Sequence, residues 1–222
     1  MNKEIKIEVL KSGGVEAVAT VVATAMLNNP LHLAVFKSND NKSQHMQEKL
    51  FANVLGRPAC NILVAKVDQK IVGVMNYYRP GECQISTLQT IVMIPALIAI
   101  LGSKLPAVLE WKTTWAKHDS KGLHLHFGPL AVLPHMQHAG IGSKLLGHFC
   151  RMADAQTADT YLETDKEENI KLYERFGFNV IQTDTVCGVK NWFMWRSAQE
   201  PSQMFASRRD ALFLTNYNHG KN

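Results

Sequence analysis

Apolar and polar residues alternate over seven short stretches of this chain, and between them apolar residues recur at helical spacing. The first stretch, residues 3–10, sets Ile5, Ile7 and Val9 between charged neighbours and predicts a strand that ends at Ser12-Gly13-Gly14. Residues 15–27 predict a helix rich in Ala and Val, stopped by Asn28-Asn29-Pro30. Residues 31–36 continue it as a short apolar piece, and 37–42 read as a polar loop. An amphipathic helix over 44–55 then ends at Gly56-Arg57-Pro58. Residues 61–67 and 70–78, joined by Asp68-Gln69, predict a hairpin closed off by Arg79-Pro80-Gly81. Further strands are expected over 123–133, 160–164, 179–186 and 190–196. Helices are expected up to about Gln156 and over 167–176, the latter closed by Gly177.

Residues 86–117 interrupt this order with one or two helices broken at Gly102 and Pro106. Residues 83–103 carry no charge, and their most apolar core, Ile91 to Leu101, is eleven residues long. A bilayer span needs about 20, so the expectation is a buried or pocket-lining helix rather than a membrane segment. Trp111 and Trp115 stand at i,i+4 spacing, which reads first as a core-facing stripe and second as the wall of a substrate pocket.

Bulk composition narrows the class. The chain has 222 residues, 46% hydrophobic and 19% charged, enough for one large globular domain. Residues 1–197 form the expected domain and 198–222 a polar tail with one apolar cluster, Ala211 to Leu214. A net charge of +5 without a Lys/Arg block argues against a nucleic-acid partner and fits a small polyanionic ligand. Cys60, Cys83, Cys150 and Cys187 lack paired metal-ligand spacing, and no secretion signal opens the sequence. A cytoplasmic protein with reduced thiols is the expectation.

The strand over 123–133 runs into Gln137-His138-Ala139-Gly140-Ile141-Gly142, followed by Ser143 and a helical pattern. Glycines let a backbone bend tightly and approach a ligand, and the first helical turn leaves N–H groups without intrahelical partners. With the positive end of the helix dipole, those donors suit a phosphate or pyrophosphate. Alternation within the same strand places Leu123, Leu125 and Phe127 on one face and His124 and His126 on the other.

Three pieces in order carry a family resemblance: Leu130-Ala131-Val132 at a strand end, Gln137-x-x-Gly140-x-Gly142 at the turn, and Leu172-Tyr173-Glu174-Arg175-Phe176-Gly177-Phe178 downstream. In that order and spacing the chain resembles the GCN5-related N-acetyltransferase (GNAT) family, strongly over residues 122–196. The resemblance implies an α/β (α+β) fold. Its mixed, strongly twisted sheet of seven strands is flanked by helices, and its fourth and fifth strands splay to admit acetyl-CoA. The helical insertion then falls between the third and fourth strands. Acetyl-CoA is the implied acyl donor. The backbone of Ala131, Val132 and Leu133 is implied to pair with its pantetheine arm. The amides of Gln137, His138, Ala139, Gly140, Ile141, Gly142 and Ser143 are implied to hold its pyrophosphate.

The same resemblance gives Tyr173 the role of acid that protonates the departing sulfur, against packing as its plainer role. A phenol is protonated at neutral pH, as that role requires. His126, five residues before Ala131, and Glu163 on the following strand are the two candidate bases. Two departures stand out. Lys166 occupies a position where many relatives have asparagine, which leaves Asn169 as the nearby candidate for the cofactor contact. Pro129 lies inside the strand, where it removes an N–H donor and points to a bulge. No resident metal is expected, since a His124-x-His126 pair has no evident third ligand.

The expected function is transfer of an acetyl group from acetyl-CoA to a primary amine, on a small molecule first and a protein second, with no membrane partner. The oligomeric state is left open, with a homodimer among the options. The alternative is a non-catalytic acyl-CoA-binding module that senses the ligand or serves as an interaction subunit.

Overall fold

The computed structural model describes residues 4–11, 13–84 and 87–199. The chain runs β1 (Lys6–Val9), α1 (Val15–Met26), α2 (Pro30–Phe36), α3 (Asn41–Leu55), β2 (Asn61–Val67), β3 (Lys70–Tyr78), α4 (Thr87–Leu101) and α5 (Leu105–His118). It continues β4 (Leu125–Val132), α6 (Ile141–Ala155), β5 (Thr160–Thr164), α7 (Glu167–Glu174), β6 (Asn179–Val186) and β7 (Val189–Arg196). The strands form one mixed sheet in the order β1-β2-β3-β4-β5-β7-β6, in which β4 and β5 are parallel neighbours. The α4–α5 insertion stands between the third and fourth strands, as read from the sequence.

Local chemistry fixes most element ends. Asp40 caps α3, its Oδ1 accepting the Ser43 amide at 2.7 Å, so α3 begins three residues before the predicted Gln44. Pro30 opens α2, where its missing N–H costs nothing. Asp68 and Gln69 both take positive φ, 48° and 64°, the conformation that a two-residue hairpin turn requires. Pro106 does not break the insertion. It sits in the first turn of α5, and the break is the short helical turn Gly102–Lys104 before it.

The sheet is covered on both faces. On one side α6 drives Leu145, Leu146 and Phe149 against Met75, Leu125, Phe127, Leu162 and Met194. On the other, Val18 and Val22 of α1 and Leu55 of α3 meet Ile62, Val64 and Val74. A third cluster gathers Leu31, Val35, Phe36, Leu50, Leu101 and Val186, with Trp111 and Trp115 packed against it. The tryptophan pair is therefore a core-facing stripe: the rings meet edge to face at 5.2 Å, and Trp115 Nε1 donates to Asn191 Oδ1 at 3.1 Å.

Three expectations need correction. Leu123 is 82% exposed, because β4 starts only at Leu125. The first strand is shorter than residues 3–10, and Val9 faces solvent at this sheet edge. Helix α4 is not buried. It has contacts to α3 and α5, so Leu97, Ile100 and Leu101 pack inward while Ile91, Val92 and Ile98 are exposed, Val92 at 71%. Through the turn at Gly102 it joins α5, and the resulting Gln89–His118 run of 30 residues is long and apolar enough to cross a membrane by length and composition. The apolar cluster 211–214 lies outside the described residues.

Candidate active site

The site is built on the parting of β4 and β5. Their parallel pairing covers Leu125↔Thr160, His126↔Tyr161 and Phe127↔Leu162. Beyond that point β4 continues to Val132 paired with β3, so its other edge is open. A bulge marks the parting: Phe127 opposes Tyr77 and Leu130 opposes Met75, which leaves Gly128 and Pro129 together opposite Asn76. Pro129 has no N–H to contribute at the bulge. Gly128 is needed for space, since a Cβ there would lie 2.5 Å from both Asn76 Oδ1 and Nδ2.

Alternation decides which backbone groups reach the open edge. Leu133 donates its amide to Val72 O at 2.9 Å, and Ala131 is paired in register with Val74. Leu130 and Val132 consequently turn their amides and carbonyls away from β3. The Val132 carbonyl accepts from Gln137 Nε2 at 3.1 Å, which ties the turn to the strand. Leu133 has its carbonyl engaged as well, by the Met136 amide at 2.8 Å.

At the turn, His138 and Gly140 adopt positive φ, 62° and 76°, and α6 begins at Ile141, two residues before the predicted Ser143. A Cβ on Gly140 would meet nothing within 4 Å, so the surface above it is open. The first α6 amide to find a carbonyl is that of Lys144, which donates to Gly140 O at 3.0 Å. The amides of Ile141, Gly142 and Ser143 are the free donors of the helix end. Beside them opens a cleft of about 430 Å³ lined by Ile7, Ser143, Lys144, Gly147, Arg151 and Phe176. Lys144 and Arg151 add cationic charge that the sequence motif did not single out. Their i,i+7 spacing on one helix face was the available signal.

Tyr173 projects from α7 onto the α6 side of the sheet, its ring edge-on to Phe127 and Phe178 at centroid distances of 6.0 and 6.1 Å. Burial, reinforced by the negative charge of Asp165, pushes its phenol above the ordinary range and keeps it protonated. Asn169 stands one turn earlier on α7, half-buried.

The opposite face carries the histidines, as alternation predicts. His126 Nε2 lies 3.2 Å from Glu163 Oε2, and its Nδ1 lies 3.5 Å from Asp119 Oδ1. The longer contact is a charge contact without hydrogen-bond geometry, so Nδ1 is buried without a hydrogen-bond partner. His124 Nδ1 donates to Gly122 O at 2.8 Å, and its Nε2 faces Asp119 Oδ1 at 3.0 Å. Gln84 Nε2 donates to Asp119 Oδ2 at 2.6 Å. Tyr161 packs against both imidazoles, at centroid distances of 5.4 and 5.3 Å, and its buried hydroxyl has no hydrogen-bond partner.

Burial works to lower the His126 pKa, but Glu163 and then Asp119 and Cys83 outweigh it and hold the ring well above its ordinary value. For Asp119 burial acts upward, and the contacts from His124, His126 and Gln84 outweigh it, leaving the carboxyl well below the usual range. The two candidate bases are thus direct neighbours. Asp119, Gln84 and Cys83, all from loops flanking the insertion, are the members that sequence reasoning missed.

Residues 26–178 match the sequence profile of the Acetyltransferase (GNAT) family. Among solved structures, the fold is similar to a histone acetyltransferase HPA2 and related acetyltransferase from Corynebacterium glutamicum. That likeness has a TM-score of 0.69 and 22% identity, covering 89% of this chain and 98% of that one. It is also similar to the ribosomal-protein-S18-alanine N-acetyltransferase from Escherichia coli, with a TM-score of 0.53 and 15% identity over 88% of this chain and 95% of that one. The PaiA N-acetyltransferase from Thermoplasma acidophilum, solved in complex with coenzyme A, gives a TM-score of 0.53 and 14% identity over 87% and 99%. With a profile match over more than half its length and the splayed sheet and glycine turn in place, this chain belongs to the acetyltransferase (GNAT) family.

Proposed function

We propose that this protein is a cytoplasmic N-acetyltransferase that moves an acetyl group from acetyl-CoA to a primary amine, a small molecule by preference. The observation that carries this reading is the placement of groups around one parting of strands. Free amides and cations stand at its far end, a buried phenol on one face, and the His126–Glu163 pair on the other.

Coenzyme A fits the residues present. Its pyrophosphate matches the unpaired amides of Ile141, Gly142 and Ser143 and the open surface over Gly140. Lys144 and Arg151 supply charge for its phosphates, and the open edge at Leu130 and Val132 offers backbone partners to its amide-bearing arm. The CoA-bound PaiA N-acetyltransferase supports this reading as a protein of the same fold.

Acyl transfer needs a neutral amine, a stabilised oxyanion and a proton for the leaving sulfur. The amine approaches from the histidine face and attacks the thioester carbon directly. The N–C bond forms as the C–S bond breaks. Glu163, held by His126 Nε2, takes the proton that the nitrogen sheds, while Tyr173 gives one to the departing thiolate. A backbone N–H at the parting of β4 and β5 faces the developing oxyanion. Release of free thiol from acetyl-CoA, followed over a panel of primary amines, tests the proposal. Amine-dependent release supports it, and calorimetric CoA binding without turnover on any amine would assign the protein to the non-catalytic class instead.

A further inference from the structure

Cys83, Asp119 and His126 come from three separated places in the sequence, yet Cys83 Sγ, one Asp119 carboxylate oxygen and one His126 ring nitrogen lie within 4.8 Å of one another. We propose that they form a binding site for one divalent cation that accepts a thiolate, of the zinc class. A thiolate, an imidazole and a carboxylate are the donor set such an ion selects over magnesium or calcium.

The strongest indication lies in what the donors lack. His126 Nδ1 and Asp119 Oδ1 face each other at 3.5 Å without a hydrogen bond, on side chains only 9% and 10% exposed. An unpartnered ring nitrogen at such depth is costly unless something satisfies it, and Asp119 Oδ1, 3.0 Å from His124 Nε2, keeps lone-pair capacity for the same ligand. A cation about 2.0–2.3 Å from each donor sets neighbouring donors roughly 3.3–3.8 Å apart. The His126–Asp119 separation already matches that spacing. Cys83, half-buried beside them, closes the third side by rotation of its side chain.

The surrounding contacts are those that orient ligands. His126 turns its other nitrogen, Nε2, to the buried Glu163 carboxylate at 3.2 Å, the carboxylate–histidine pairing common behind bound zinc. Asp119 has its second oxygen, Oδ2, held by Gln84 Nε2 at 2.6 Å. His126 Nδ1 and Asp119 Oδ1 thereby face each other across the same space. A fourth position is left for water or another small ligand.

The site draws its ligands from three separate elements. Cys83 precedes α4, Asp119 caps the end of α5, and His126 belongs to β4. One cation therefore ties both ends of the insertion to the central sheet. The proposal shares the His126 imidazole with the transfer chemistry but does not depend on it, and its test reads metal directly.

Titration of the full chain with Co²⁺ provides that reading, because cobalt bound to thiolate gives a charge-transfer band in the near ultraviolet. One equivalent should bring the band to saturation. Cys83→Ser should abolish it, with circular dichroism confirming the unchanged fold. Glu163→Gln should keep the band and weaken binding about 10–100-fold. Absence of the band in the unmodified protein at saturating Co²⁺, or its persistence in Cys83→Ser, would overturn the assignment.

Discussion

His126 Nε2 lies 3.2 Å from Glu163 Oε2, with His126 inside the paired stretch of β4 and β5 and Glu163 one residue beyond its last pair. Neither side chain is near the other in sequence. The parallel register, with His126 beside Tyr161, brings them together. If this pair takes the amine proton, Glu163→Gln keeps the shape and removes the charge. Its kcat for acetyl transfer should fall by about 10²–10⁴-fold, measured by steady-state thiol release. A variant as fast as the unmodified protein would remove Glu163 from the reaction.

Tyr173 faces Phe127 and Phe178 from the other side of the sheet. Replacing it with Phe preserves those ring contacts and deletes the proton. Single-turnover transfer should slow by at least about tenfold, with little change in the unfolding midpoint. Unchanged chemistry would assign the tyrosine to packing alone.

Gly128 and Asn76 are in close contact at the bulge, where an added Cβ would lie 2.5 Å from the amide side chain. Gly128→Ala should destabilise the protein by about 1–3 kcal/mol through overpacking. Combining it with Asn76→Ala should recover part of that loss, because the two positions share the space. Urea unfolding of the two single variants and the double variant measures this coupling.

Arg196 grips Asp154 in a bidentate pair, both bonds 2.8 Å, and also donates from Nε to Phe176 O at 2.7 Å. Burial alone would raise the Asp154 pKa, but Arg196 and the Gln199 amide outweigh it and depress it. A carboxyl depressed on folding contributes stability that is present above its unfolded value of about 3.9 and is lost as pH falls through the folded value. The pair should therefore begin to weaken the protein only in acid. Asp154→Asn should cost about 3–5 kcal/mol at neutral pH, since it leaves a buried arginine unpaired. It should also flatten the acid limb of the stability profile measured by urea unfolding.

Much of this architecture is legible in the residues themselves. The strands 61–67, 70–78, 160–164 and 179–186 match their predicted bounds because alternation, a positive-φ turn and flanking glycines or prolines act locally. The glycine turn and the histidine face were also readable, since each depends on residues a few positions apart. What escaped depends on the folded chain. Exposure of α4 follows from how few neighbours its uncharged surface meets, which composition does not encode. Asp119 and Cys83 enter the site because the insertion begins and ends beside β4, and no local pattern marks either one. The Asp154–Arg196 pair joins residues 42 positions apart.

In the proposed reaction the parting of β4 and β5 brings an acyl donor to an amine. Its most direct test is release of free thiol from acetyl-CoA by the purified full chain, with and without a panel of primary amines. Amine-dependent release with one acetylated amine per thiol by mass spectrometry, lost in Glu163→Gln, is the expected result. Thiol release that ignores the amine, or none with any amine despite calorimetric CoA binding, would contradict it.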